Sequence, residues 1–403
     1  MNLIGTLRAP ALNSILAAGF GMLGTLVMVW LAGPEVFAHF AIDLARLALV
    51  GLVLEIIPSA YAIYHIQKDL QFRAAFRAFS GVGSVILMLA TLGLATAGVF
   101  SAFSGWIFAY VAYLPAQRYV DTALQADGQV ARYFFLIMAV NALRLVLLFA
   151  GLQLWPPSAS DVVWASLAIA SWASIILLYA LDRSFRDGIS RGTGGASLRI
   201  LWDARRNYYG YYLNAVLKRI KDSLMMLICG SLVSNTTAVA QYVLLFRGID
   251  FVSGQFRIAE AALSNYESRR KVAKTRGRDL AILSILGQGA AVVLSTALAL
   301  QAGPLNWPLL AAIGIASFVI YPYAVEVTLR SDAYAAFQPR RVTLSITAYI
   351  VTVAAVLLAW IPFGLDLISL VTAQVTAQCA AAAVYIFNRQ PSLGKPSVTD
   401  APD

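Results

Sequence analysis

Residues 11–63 read ALNSILAAGFGMLGTLVMVWLAGPEVFAHFAIDLARLALVGLVLEIIPSAYAI. The only charged side chains in this stretch are Glu35, Asp43, Arg46 and Glu55, and the one clear break is the turn Gly33-Pro34-Glu35. Crossing a hydrocarbon layer of about 30 Å takes about 20 helical residues, so the stretch is long enough for two crossings joined by a short turn. In lipid, backbone N–H and C=O groups must be paired within their own segment, which makes such runs helices.

Working outward, the same pattern repeats to the end of the chain. Apolar runs fall at 11–33, 37–63, 80–103, 104–117, 133–154 and 161–181, and after a polar linker at 208–233, 238–263, 280–300, 307–329, 342–361 and 365–387. The expected fold class is therefore all-α: a polytopic membrane protein of about twelve transmembrane helices in two six-helix bundles, a parallel repeat around a central cavity. The expected domains are 1–182, a basic linker 183–207, 208–388 and a disordered tail 389–403. Composition agrees, because 60% hydrophobic and 12% charged residues leave too little polar surface to cover a soluble globule of 403 residues. Cys229 and Cys379 both lie in apolar runs, where a thiol acts as a small buried hydrophobe.

Orientation follows from where Lys and Arg fall in the short loops. One set of loops holds Arg8; Lys68, Arg73, Arg77; Arg118, Arg132; Arg183 through Arg206; Arg269 through Arg278; Arg330, Arg340, Arg341; and Arg389, Lys395. The other set, around Pro34, Ser104, Pro156, Asn235, Pro304 and Pro362, holds none. Positive-inside sorting puts both termini in the cytoplasm. It also accounts for the net charge of +10, so nucleic acid is not an expected partner, whereas the anionic headgroups of membrane lipids are. The linker's Gly192-Thr193-Gly194-Gly195 reads as a flexible join between two compact halves.

Seven basic residues lie within the spans instead: Arg46, Arg144, Lys218, Arg219, Lys221, Arg247 and Arg257, with the acids Asp43, Glu55, Asp222, Asp250, Glu260 and Glu326. A charge at mid-bilayer costs about 2.5 to 3.5 kcal/mol even on the lenient insertion scale, so these groups must face protein or a wet cavity. Asp43 and Arg46, and Arg247 and Asp250, stand three apart on equivalent helices of the two halves, and Lys218 and Asp222 four apart. These spacings suit structural ion pairs. They also place Arg247, Asp250, Gly254 and Arg257 on one stripe, and Tyr211, Asn214, Lys218, Lys221, Asp222 and Met225 on another. Cations in excess of nearby acids, Arg144 and Lys221 among them, suit an anionic substrate, phosphate above all. Gly19, Gly21 and Gly24 suggest close helix packing. Tyr321-Pro322-Tyr323 predicts a kink, and Gln374 and Gln378 either line the cavity or bond a neighbouring helix. There is no metal-ligand cluster and no nucleotide-binding Gly-rich loop, so neither an enzyme nor a cofactor is expected.

The turn Gly33-Pro34-Glu35-Val36-Phe37-Ala38-His39-Phe40 resembles the Gly-Pro-Glu-x-Phe-Gly-x-Tyr turn of the Wzx-type polysaccharide flippases. Ser234-Asn235-Thr236-Thr237-Ala238-Val239-Ala240-Gln241-Tyr242 is similar to that family's equivalent turn in the second half, with Ala38 and Ala240 where the family usually has Gly. The resemblance implies membership of the multidrug/oligosaccharidyl-lipid/polysaccharide exporter superfamily. It implies export of an undecaprenyl-pyrophosphate-linked oligosaccharide across the bacterial inner membrane, with ion coupling. The expected partners are the lipid-linked oligosaccharide, a polysaccharide polymerase and other assembly proteins. Arg46, Arg144, Lys218, Lys221, Arg247 and Arg257 would then attract the pyrophosphate or acidic sugars, and Asp43, Asp222, Asp250 and Glu326 would be the ion-coupling candidates. The competing readings are a drug/cation antiporter or a peptidoglycan-precursor flippase of the same superfamily, and a membrane-embedded glycan polymerase or ligase.

Overall fold

The computed structural model describes residues 3–100, 104–155, 159–190, 198–203, 205–233, 235–263, 276–335 and 339–387. The glycine core of the linker, the basic residues Arg269, Arg270, Lys271 and Lys274, and the C-terminal tail lie outside them, as do the side chains of Arg257 and Glu260.

The first half comprises α1 (Leu3–Ala32), α2 (Pro34–Val50), a 3₁₀ turn (Gly51–Ile56), α3 (Ser59–Lys68), α4 (Leu70–Thr96), α5 (Trp106–Ala126), α6 (Val130–Leu154) and α7 (Ala159–Leu181). Two short helices, α8 (Arg183–Ser190) and α9 (Arg199–Asp203), lead to the second half: α10 (Arg205–Leu232), α11 (Thr236–Leu263), α12 (Arg276–Ala299), α13 (Trp307–Ser317), α14 (Ile320–Ala335), α15 (Pro339–Trp360) and α16 (Leu367–Phe387). Counting α2 with α3 and α13 with α14 as single broken crossings, the described residues form twelve crossings, six in each half. Eight segments among them are long and apolar enough to span a membrane unaided. The other four are α5, α10, α11 and α12, and the first three carry in-membrane charges that pack against protein.

Local sequence explains where the helices start and break. Gly33 caps α2 at φ +93°, a conformation that costs glycine nothing, and Pro34 follows at the first helical position, where a missing N–H is harmless. Asp69 accepts from Gln71 N at 2.7 Å, and Asn306 from Leu309 N at 2.9 Å, each satisfying a free donor at a helix start. The expected span 37–63 is interrupted because Ile57, ahead of Pro58, is extended, as a residue before proline prefers. The kink expected at Pro322 takes the form of a break at Phe318–Val319: Pro322 has no N–H for the Phe318 carbonyl four residues back.

One expected boundary is corrected. The fourth span, expected at 104–117 with Arg118 beyond it in a loop, is longer: α5 continues to Ala126 and carries Arg118 and Asp121 inside the bundle. The helix runs on because those charges find protein partners instead of lipid. Close packing of the α1 glycines is also corrected: an added Cβ would meet nothing at Gly19 or Gly24, and only Asn141, at 3.4 Å, at Gly21.

In each half the helices pack around their own centre, α1 on α6, α4 on α5, α11 on α12 and α15 on α16. The halves meet where α10 and α11 lie against α2 and where α11 lies against α1. One large apolar core spans that seam, with Met28, Phe37, Cys229, Leu244 and Leu370 all buried in it. Large apolar side chains point outward, among them Leu89 at 64% exposure and Val293 at 68%, a surface suited to lipid and not to water.

Candidate functional site

Charges from the second half converge on a cavity of about 440 Å³, walled on one side by Ala41, Leu44, Ala45 and Ala48 of α2. Its lining carries five basic side chains, Lys218, Arg219, Lys221, Arg247 and Arg330, against two acidic ones, Asp222 and Asp250. The 3.6-residue period puts Lys218, Lys221 and Asp222 of α10, and Arg247 and Asp250 three apart on α11, on cavity-facing stripes, as the sequence spacing indicated. Tyr323, Tyr349, Gln374 and Gln378 complete the polar wall.

Glu326, 1% exposed, is fixed from three sides. Lys221 Nζ donates to both carboxylate oxygens at 2.8 Å, Arg330 Nη1 donates at 3.3 Å, and Gln378 donates through its side-chain amide. Lys221 Nζ also stands 4.5 Å over the Tyr349 ring, and the Tyr349 hydroxyl donates to Gln374. Both glutamines therefore line the cavity and bond to neighbouring helices. A carboxylate so thoroughly paired holds Lys221 in place. Asp43, fully buried, accepts from Arg46 Nη1 at 2.9 Å, so this pair fixes α2 and is not part of the cavity lining.

Arg144 lies on α6, where its guanidinium carbon is 5.1 Å from the centre of the Phe40 ring. Its Nε and Nη2 are buried without hydrogen-bond partners. Arg247, from the other half, is near enough to act on it electrostatically, and so is Tyr110. Of the expected site residues, Lys218, Lys221, Arg247, Asp222 and Asp250 thus share the cavity, Arg144 lies within electrostatic range of Arg247, Arg46 is ion-paired with Asp43, and Glu326 is ion-paired with Lys221 and Arg330. The Arg257 side chain lies outside the described residues.

A second cavity, of about 450 Å³, lies in the first half and shares Leu44, Ala48 and Arg219 with the first. Glu55 sits in it between two guanidiniums, Arg118 Nη2 at 3.3 Å and Arg219 Nη2 at 3.3 Å. Arg118 also donates to Ser59 Oγ at 3.2 Å and to the Ile57 carbonyl. Because Arg219 belongs to α10, this bridge ties the two halves together midway along that helix. At the C-terminal end of α1 the Trp30 indole donates to Gln301, again between halves. A shallow, open concavity of about 660 Å³ near Trp106 and Trp155 carries a single charge, Asp161, and stands apart from both cavities.

Glu55, Arg118 and Asp121 were not among the expected site residues. The signal was present in α5, where Tyr110, Leu114, Gln117, Asp121 and Gln125 recur at steps of three or four and all line the first-half cavity.

No protein-family model matches the chain, and no curated protein matches it. Solved structures do. A MATE transporter of Vibrio cholerae in its bent form superposes with a TM-score of 0.69 at 14% identity, over 96% of this chain and 95% of that one. An inward-facing multidrug resistance MATE transporter gives 0.65 at 14% identity, over 92% and 93%. A transporter of the same superfamily from Pyrococcus furiosus, described as having a binding pocket of reversed polarity that suggests a different function, gives 0.66 at 13% identity, over 96% and 97%. The chain therefore has the two-lobed, twelve-helix fold of the MATE transporters.

Proposed function

We propose that the chain is an alternating-access exporter of the multidrug/oligosaccharidyl-lipid/polysaccharide superfamily. Its cargo on this reading is an undecaprenyl-pyrophosphate-linked oligosaccharide, moved from the inner to the outer leaflet of a bacterial inner membrane. The observation that carries the reading is the pair of donors on Arg144, Nε and Nη2, buried without partners and within electrostatic range of Arg247 of the other half. Beside Arg247 lies a cavity wall with five basic groups, three of which, Lys221, Arg330 and Arg219, are paired with Glu326 or Glu55. Guanidiniums with open donors bind phosphate oxygens in a planar fork, and a low-dielectric wall strengthens that contact. An anion held between residues of the two halves feels their relative movement directly, which is what alternating access requires.

On this reading both termini and the basic loops are cytoplasmic, and residues 1–182 and 208–388 are the two rocking units. Membrane lipids would meet the outer apolar faces, and a polysaccharide polymerase would receive the cargo. A relative with another substrate is the second reading, favoured by the multidrug resistance transporter among the structural neighbours.

Deleting the gene in its own bacterium, then analysing surface polysaccharide and the sidedness of lipid-linked oligosaccharide, separates the two. The proposed function gives lost polysaccharide and completed repeat units accumulating on the cytoplasmic leaflet. Unchanged polysaccharide and lipid pools would contradict it and leave the drug or peptidoglycan-precursor reading.

A further inference from the structure

Asp121 is the carboxylate in the first-half cavity that the ion bridges leave out. Gln117 hydrogen-bonds its side chain, but Oδ1 is buried with no partner. The charged and titratable groups that face it are Glu55 from the 3₁₀ turn, Arg118, Tyr110 and Tyr113 on its own helix, and Arg219 from α10. Glu55 is shared by both guanidiniums, and Arg118 is further committed to Ser59 and the Ile57 carbonyl. An ionised carboxylate with a bare buried oxygen is costly, and uptake of a proton removes that cost.

We propose that Asp121 is a proton-binding site: its carboxylate accepts one proton from hydronium in the cavity, leaving water and a neutral carboxylic acid. A proton needs one lone pair, which is what Oδ1 offers. A bare metal cation would need several converging oxygens, and here it would face two guanidiniums. The site opens on the cavity that also holds the Glu55–Arg219 bridge between the halves, so proton uptake lowers the negative charge of that cavity by one. The inference rests on the alternating-access reading but not on the cargo.

The test is infrared difference spectroscopy of the full-length protein in lipid nanodiscs, titrated with acid without cargo and with or without Na⁺. The expected result is a carboxylic acid C=O band that grows on acidification, is insensitive to Na⁺ at fixed pH, and is missing from Asp121→Asn. In Asp121→Glu the band should return at a shifted frequency. A band that persists in Asp121→Asn would overturn the assignment, and so would one that Na⁺ removes at constant pH. If Asp121→Asn fails to insert, the shifted band in Asp121→Glu decides, and an unshifted one overturns the proposal. Failure of the cargo assignment would leave this result untouched, because no cargo is present.

Discussion

Glu326 and Lys221 lie 105 residues apart in sequence, yet Lys221 Nζ reaches both carboxylate oxygens at 2.8 Å. Sequence spacing pairs Lys218 with Asp222 and Arg247 with Asp250, because only neighbours along one helix can be read from periodicity. The partners that close across helices were not legible. Lys221 could be recognised as a cation in excess of local acids, but Glu326 could not be recognised as its counterion. The consequence is testable. Glu326→Gln removes the anion that Lys221 and Arg330 share, and breaking a largely buried pair in this way destabilises by about 3 kcal/mol. Thermal unfolding in detergent should show that loss, and Glu326→Gln combined with Lys221→Gln should recover much of it. A single variant as stable as the parent would show that the pair does not hold the second half together.

At the scale of elements, the apolar runs and the loop charges were legible because lipid imposes them on every crossing. The length of α5 was not. Its apolar part ends near Pro115, and what carries the helix on to Ala126 is tertiary: Arg118 finds Glu55, Ser59 and the Ile57 carbonyl. Close helix contact was sought at the α1 glycines and occurs instead between α11 and α12, where a Cβ on Gly248 would stand 2.6 Å from the backbone nitrogen of Ser295. That neighbour is backbone and cannot swing aside, so Gly248→Ala should cost about 1 to 3 kcal/mol in thermal unfolding. Gly19→Ala, with open space around it, should be neutral or slightly stabilising. Equal effects at the two sites would contradict the packing described. The tie between halves gives a further prediction: Glu55→Gln releases Arg219, so spin labels at Gln67 and Tyr209 should show a larger widely separated population than in the parent. An unchanged distance distribution would mean that Glu55 does not restrain the two halves.

For the whole molecule, the two-half plan follows from a sequence in which six crossings, a basic linker and six more crossings share one orientation. The cavity follows from charges too costly to leave in lipid. Which charges act on one another is a property of the assembled halves, and that is where Arg144 and Arg247 acquire their meaning: one from α6, one from α11, brought within electrostatic range by the packing of the halves. The proposed function requires Arg144 and Arg247 to hold a pyrophosphate carried on a lipid. The direct measurement is binding of undecaprenyl pyrophosphate, with uncharged undecaprenol as control, to the purified protein and to Arg144→Ala, Arg247→Ala and the double variant. The pyrophosphate lipid should bind, and the alcohol should not compete. Each single variant should weaken binding by roughly tenfold or more, about the 1.5 to 3 kcal/mol of a charged hydrogen bond, with all three variants still folded in the membrane. Equal binding of the alcohol and the pyrophosphate, or undiminished binding by the double variant, would contradict it.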